Sequence, residues 1–322
     1  MRLLVTGGAG YIGATMTALL LREGHQVIVL DSVTVLDDLS TGRREGVPAG
    51  AEFVEGDLTD ADLVDKVVSG VDGILHFGAK ALVGESMEQP AEYFRVNVGG
   101  AVNLVDAMRR HGVRKLIVSS TAATYGEPEE LPITEDSPTR PTNAYGASKL
   151  AVDKLLRFAA PAYRLGAVSL RYFNVAGSYG GVVERHEPET HVIPNLLKAA
   201  ASGQTFRLNG TDYPTPDGTC IRDYVHVEDL CRAHMLALDA AEPGVHKVYN
   251  IGSGSGFSVR QVIDAVRTVT GRDFPVEEAP RRAGDPARLV ASSARIEAEL
   301  GWVRTKPTLE DMVRDAWQAL HA

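Results

Sequence analysis

The sequence predicts an α/β fold: a doubly wound parallel sheet with a smaller, interleaved C-terminal substrate-binding lobe. Three observations point to it. Short apolar runs alternate with amphipathic helical stretches through residue 173, the rhythm of a parallel sheet covered on both faces. A glycine-rich turn separates the first run from the first helix. After Asn174 the rhythm breaks, and Gly, Pro, Glu and His dominate residues 177–191, where the lobe begins.

Residues 2–5 form the first strand and lead into Thr6-Gly7-Gly-Ala-Gly10-Tyr11-Ile12-Gly13, with helix-forming residues continuing to Glu23. Gly7, Gly10 and Gly13 leave the backbone bare, so that a pyrophosphate can rest against the helix N-terminus. The second strand, Gln26 to Leu30, ends at Asp31. An acid there accepts the adenosine ribose hydroxyls and repels a 2′-phosphate, which favours NAD over NADP on a Rossmann-type sheet. Val29-Leu30-Asp31 recurs at Val35-Leu36-Asp37, as if one copy were inserted. The length of the preceding helix favours Asp31 for the ribose, with Asp37 the alternative. The segment Asp38-Leu-Ser40-Thr-Gly42 then closes over the adenosine from a lengthened loop.

A third strand near residues 52–58 ends at Asp57, an acid placed to hold the adenine amino group. A fourth, Val71 to His76, is followed by small residues where a cofactor can approach closely. His76 reads as a group packed beside the strand end. Residues 91–111 and 145–160 read as amphipathic helices flanking a strand at Lys115 to Ser119. Asp223 to Val227 and Lys247 to Ile251 read as strands that return to the sheet. The expected division is 1–174 for the dinucleotide domain, with returning segments at about 223–251, and 175–322 for the lobe.

On the second of the two helices Tyr145 and Lys149 are four residues apart and share one face. A positive charge near a phenol favours the phenolate. The spacing alone also fits a surface Tyr and Lys at an ordinary helix start. Thr121 supplies a hydroxyl two dozen residues upstream.

Composition narrows the function. A net charge of −9 argues against a nucleic-acid surface, which requires excess Lys and Arg. Cys220 and Cys231 are the only cysteines and have no CxxC or histidine companion pattern, so neither a disulfide nor a metal framework is expected. No apolar run approaches the ~18 residues of a membrane span, and residue 1 leads straight into a strand without a signal-peptide pattern. A cytoplasmic protein is expected.

The glycine turn, Tyr145-x-x-x-Lys149 and Arg171-Tyr-Phe-Asn174 occur in the order of the extended short-chain dehydrogenase/reductase superfamily, which the chain resembles along nearly its whole length. Within it, four further stretches resemble the UDP-glucose 4-epimerase branch. They are Ser119-Ser-Thr-Ala-Ala-Thr-Tyr-Gly126, Ala79-Lys80-Ala-Leu-Val-Gly-Glu-Ser86, the run from Asp212 through Arg222 to Val227, and Arg281-Arg-x-Gly-Asp285.

The resemblance implies reversible C4 epimerisation of UDP-glucose and UDP-galactose through a 4-keto sugar, with hydride passing to and from a tightly held NAD. Tyr145 would exchange the proton of the 4-hydroxyl and Thr121 would hydrogen-bond the 4-oxygen. Lys149 would bind the nicotinamide ribose and hold the phenol nearer neutrality. Tyr11, Ile12, Leu58, Phe77, Ala79, Lys80, Asn97 and Phe173 would line the cofactor. Asn174 would meet the pyrophosphate or sugar, Arg222 and Arg282 would supply cations, and Asp285 would receive a ribose hydroxyl. For Arg222 an ion pair with Asp223 or Glu228 is the structural alternative.

Leu289 stands where some relatives carry an aromatic residue, which would open the pocket to an N-acetyl group. Epimerases of other UDP-sugars keep the same catalytic groups. Relatives that remove water from the sugar carry an Asp-Glu pair after the Thr, where this chain has Ala122 and Ala123. A non-catalytic NAD-binding protein would commonly lose the Tyr or the Lys. The resemblance also implies a homodimer paired through the two amphipathic helices.

Overall fold

A computed structural model describes residues 1–32, 44–184, 189–282 and 285–321. The dinucleotide half begins with β1 (Arg2–Thr6), α1 (Tyr11–Arg22), β2 (Gln26–Asp31), β3 (Glu52–Glu55), α2 (Ala61–Val68) and β4 (Gly73–His76). It continues through α3 (Val83–Glu88), α4 (Pro90–Tyr93), α5 (Gly100–His111), β5 (Lys115–Thr121), α6 (Ala144–Tyr163) and β6 (Gly166–Tyr172). After β7 (Asn174–Ala176) come α7 (Val192–Ser202), β8 (Phe206–Asn209), β9 (Ile221–Arg222), β10 (Tyr224–His226), α8 (Val227–Asp239) and β11 (His246–Ile251). The chain ends with β12 (Phe257–Ser258), α9 (Val259–Thr270), β13 (Val276–Ala279), β14 (Arg288–Leu289), α10 (Ala294–Leu300) and α11 (Leu309–Ala319).

Seven parallel strands form the central sheet in the order β11-β6-β5-β4-β1-β2-β3. The chain steps outward from β1 to β3, then crosses back to β4, so the winding reverses between β1 and β4. Ligands of such sheets bind at the carboxyl ends of the strands at that switch point. The strands read as continuous apolar runs because both faces are covered. Leu3, Val5, Val27 and Val29 pack with α1 and α8 on one face; Leu4, Ile28 and Ile74 pack with α2, α5 and α6 on the other.

Local chemistry sets the element ends. Asp60 caps α2 by accepting from the N–H groups of Asp62 and Leu63, and Asn143 caps α6 by accepting from Gly146. The helix expected over 91–111 is found as α4, a π-helical turn at Phe94–Gly99, and α5, ending at left-handed Gly112. The wide turn carries Asn97, whose carboxamide exchanges hydrogen bonds with the Lys80 backbone and donates to Ser148 Oγ.

The lobe has its own core, in which Leu196, Leu197, Val262, Ile263 and Met312 join α7, α9 and α11. Only one of the two expected returning strands enters the sheet. The Lys247 to Ile251 run pairs with β6, whereas Tyr224–His226 pairs in parallel with β7 outside it. The reason lies at Asn174, whose N–H and side-chain amide both donate to the Asp223 carbonyl and hold the two segments together.

Asp223 also ties the lobe to the sheet through its buried carboxylate. That carboxylate accepts from the N–H groups of Ser253, Gly254 and Ala291, on segments that follow β11 and β14. Asp223→Ala strands these donors, each worth about 1 kcal/mol or more when buried unpaired. The urea-unfolding free energy of that variant is expected to fall by roughly 3 kcal/mol or more.

Candidate functional site

The glycine turn sits at the switch point. A side chain at Gly7, which has φ 69°, would meet the Gly78 backbone at 2.6 Å; one at Gly13 would meet the Gly7 carbonyl oxygen at 2.1 Å. Only bare backbone brings β1, β4 and the start of α1 this close, and the same bareness admits a pyrophosphate. Gly10 caps α1 without a side-chain acceptor, which leaves first-turn N–H groups available to an anion. Asp31 ends β2 beside the turn, and its carboxylate accepts the Ala9 N–H at 2.8 Å. Burial raises its pKa, and the backbone donors Ala9 and Ser32 oppose the rise. Asp37, Asp38 and Ser40 lie outside the described residues.

The remaining residues expected around the cofactor divide. Tyr11 donates to the Gly177 carbonyl at 2.7 Å, and Ile12 packs on the adjoining core. Leu58 lies against Gly78 and Gly100. Asp57 turns one carboxylate oxygen to the N–H and hydroxyl of Thr59. Phe77 stacks on His234 with ring centres 4.7 Å apart, and Ala79 and Phe173 are half-buried beyond the ends of β4 and β6. His76 takes the packing role read from the sequence: it bonds Thr6 Oγ1 at 2.7 Å, and burial drives its pKa down to about 3. The Lys80 ammonium lies 3.3 Å from Glu85, which α3 carries, and over the Tyr93 ring.

Thr121, Tyr145 and Lys149 come together. Thr121 ends β5, and Tyr145 occupies the first turn of α6. Gly146 lets that turn pack on the Ala123 carbonyl, which a Cβ would meet at 2.5 Å. The Thr121 side chain hydrogen-bonds the phenol. Lys149, one turn on, donates to the Ser119 carbonyl at 2.9 Å.

The electrostatics differ from the sequence expectation. Burial raises the Tyr145 phenol, and the Thr121 hydrogen bond is what opposes it. Lys149 is not among the causes of that shift; its ammonium donates to the Ser119 carbonyl. Its own pKa is lowered to about 8 by burial, against the pull of Asp153.

Behind Lys149 is a layer that the motif search missed. Asp153 accepts from Arg171 at 2.8 and 3.0 Å, Arg171 donates to the Tyr125 hydroxyl at 3.0 Å, and Tyr125 donates to Asn250 at 2.7 Å. The signal available in the sequence was the repeat of four that runs Tyr145, Lys149, Asp153 along one helix face.

The lobe contributes a pocket of about 650 Å³ lined by Asn174, His191, Asn195, Lys198, Arg207, Arg222, Tyr224, Arg282 and Asp285, among others. Arg222 pairs with Asp285, not with Asp223 or Glu228. Asp223 is engaged by backbone N–H groups and Glu228 pairs with Arg232. Arg282 lines the pocket, whereas Arg281 pairs with Asp212 and stacks on Tyr213. Leu289 pairs with Arg222 across β14 and β9 but is not among the residues lining this pocket. His191, Asn195, Lys198 and Arg207 carry no motif that marks them in the sequence.

The sequence profile described as the NAD dependent epimerase/dehydratase family matches residues 3–252. The chain is 54% identical over 321 residues to a UDP-glucose 4-epimerase of Corynebacterium glutamicum, covering 98% of this chain and 95% of that one. It is similar to a solved UDP-glucose 4-epimerase structure at 44% identity and a TM-score of 0.94, covering 100% of this chain and 98% of that one. A UDP-glucose 4-epimerase from Brucella ovis solved in complex with NAD matches with 41% identity and a TM-score of 0.91, covering 98% and 97% of the two chains.

The Lys149 shift predicts a pH dependence of stability. The unfolded chain keeps the lysine proton to its ordinary value of 10.5, while the fold releases it near 8. Between these values the unfolded state binds more protons, so stability rises with pH at up to about 1.4 kcal/mol per unit. Urea titrations of the ligand-free protein from pH 7 to 10 should record this rise, and Lys149→Met should flatten it.

Proposed function

The chain belongs to the NAD dependent epimerase/dehydratase family, and from that premise we propose that it interconverts UDP-glucose and UDP-galactose. The reaction inverts C4 through a 4-keto sugar. One arrangement carries the reading: the Thr121–Tyr145 pair, with Lys149 one turn on, is held on β5 and on α6, a helix packed on the sheet whose glycine crevice would hold NAD. NAD, when bound, supplies the acceptor and donor of hydride.

The protein's own groups handle the proton and the orientation. Tyr145 takes the proton from the 4-hydroxyl and returns it, and Thr121 orients the 4-oxygen while favouring the phenolate. Lys149, held by the Ser119 carbonyl one turn from Tyr145, would bind the nicotinamide ribose, and Asp31 would accept the adenosine ribose hydroxyls. In the lobe, Arg222 and Arg282 meet the uridine diphosphate, Asn174 the pyrophosphate or sugar, and Asp285 a ribose hydroxyl. Residues 1–174, with segments from about 223–251, serve the cofactor, and residues 175–322 serve the UDP-sugar. Ala122 and Ala123 after Thr121 give no acid or base for expelling water, which favours epimerisation over dehydration.

We also propose a cytoplasmic homodimer. Phe94, Val102 and Phe158 are 42%, 40% and 73% exposed on the helical stretch 90–111 and on α6, the two helices expected to pair. Cys220 and Cys231 are free and buried, and among the described residues no helix is long and apolar enough to cross a membrane. Light scattering should give a mass near twice the 34.5 kDa chain.

The catalytic test is conversion of UDP-galactose to UDP-glucose by purified protein without added NAD. Tyr145→Phe should lower kcat by roughly 10²–10⁴-fold, the span of a lost general acid–base. Near-wild-type turnover by that variant would sink the mechanism.

A further inference from the structure

Lys149 and Asp153 stand one turn apart on α6, and each is only 4% exposed. An ammonium carries three N–H donors. Among the described residues the acceptor hydrogen-bonded to Lys149 Nζ is the Ser119 carbonyl, at 2.9 Å. Burial disfavours the charged form of a lysine and brings this one down to about 8. A group that holds ribose hydroxyls must nonetheless stay charged and keep donors open.

Asp153 meets both requirements. Its Oδ2 accepts from Arg171 Nη2 at 2.8 Å, from Arg171 Nε at 3.0 Å and from Ser120 Oγ at 3.4 Å, so the carboxylate is fixed in place. Its Oδ1 is buried and has no hydrogen-bond partner among the described residues. A buried carboxylate oxygen without a donor is costly unless a positive charge lies near. Among the described residues the ion pair of Asp153 is with Arg171, not with Lys149. Its charge therefore reaches the ammonium through space and occupies none of the lysine's donors.

We propose that Asp153 is a positioning residue for the reaction at C4: it keeps the Lys149 ammonium charged while leaving free the N–H groups that would meet the nicotinamide ribose. That role presupposes a Lys149 that binds the ribose, as proposed for the reaction. A neutral Lys149 would lose both its charge and one donor.

The other titratable groups around the pair leave Asp153 as the controlling charge. His76 on β4 feels the Lys149 charge and is itself driven down to about 3, so it is neutral at working pH. His246 on β11, close to Asp153, Arg171 and Arg157, is lowered by burial. Burial raises the phenols of Tyr145 at the start of α6 and of Tyr125 after β5. It also raises Tyr93 of α4, which bonds to Glu85 of α3. Arg109 of α5 lies over the Tyr163 ring, at the far end of α6.

The test compares Asp153→Asn with the unaltered protein in two ways. In urea titrations of ligand-free protein, the rise of stability with pH that disappears when Lys149→Met is added to each background reports the lysine's titration. Without the carboxylate the folded lysine releases its proton at lower pH. The onset of that rise should move from near pH 8 to lower pH by roughly one unit or more. In conversion of UDP-galactose, Asp153→Asn should lose roughly fivefold more activity at pH 8.5 than at pH 6.5, and Asp153→Glu should recover part of the difference. Asp153→Asn leaves the Arg171 charge unmatched. Should it fold poorly, the double variant Asp153→Asn, Arg171→Met removes both charges and carries the same two expectations. An unmoved onset would overturn the proposal, as would activity lost by the same factor at both pH values, the behaviour of a purely structural ion pair. Should the unaltered protein not convert UDP-galactose, the proposed reaction fails by itself, and the urea titrations decide whether Asp153 holds the Lys149 charge.

Discussion

The ion pair between Asp153 and Arg171 is buried beneath the Tyr145–Lys149 face, with side-chain exposures of 5% and 6%, and several elements depend on it. Arg171 belongs to β6, Asp153 to α6, Tyr125 to the turn after β5, and Asn250 to β11. Asn250 in turn donates through its side-chain amide to the Ile133 carbonyl and through its backbone N–H to the Glu135 carboxylate. Burying two charges is costly unless every partner is in place. The network therefore gives little net stability and specifies one arrangement of α6 on the sheet. That arrangement sets Tyr145 and Lys149 beside Thr121 at the end of β5. The same carboxylate keeps the Lys149 ammonium from being neutralised further by burial.

The substrate side is organised by local charge against an opposing total. A chain of net charge −9 gathers Arg207, Arg222, Arg282 and Lys198 around one pocket, where a diphosphate would otherwise be repelled. Arg222 is held ready by Asp285 and by its own neighbour's carbonyl, so little side-chain entropy remains to be lost on binding. Asp223, next in sequence, points the other way into backbone donors. Adjacent residues on a short extended segment face opposite sides, which separates the ligand-facing cation from the carboxylate that holds lobe and sheet together.

Much of the dinucleotide half was legible because its signals are local. Gly13 answers to the Gly7 carbonyl within the same turn, Asp31 follows a strand of fixed length, and the strands at 2–6, 26–31 and 73–76 are apolar on both faces. Legibility failed where the answer depended on distant partners. Tyr224–His226 has the composition of a sheet strand, but hydrogen bonds from Asn174 to the Asp223 carbonyl direct it to β7. The pairing of Lys80 with Glu85 likewise depends on where α3 lies. A spacing of four places Tyr145 and Lys149 on one face without fixing where the ammonium points, and in the fold it donates to the Ser119 carbonyl.

From the sequence alone came the parallel sheet, the glycine crevice with Asp31 beside it, and the trio Thr121, Tyr145 and Lys149 proposed for catalysis, since these rest on periodicity, steric bareness and motif spacing within short stretches. Tertiary structure alone decided which charges pair. It set Arg222 against Asp285, Arg171 against Asp153, and two carboxylates against His191. Such pairs join residues brought together by packing, and their energies depend on burial and angle, which no linear spacing encodes.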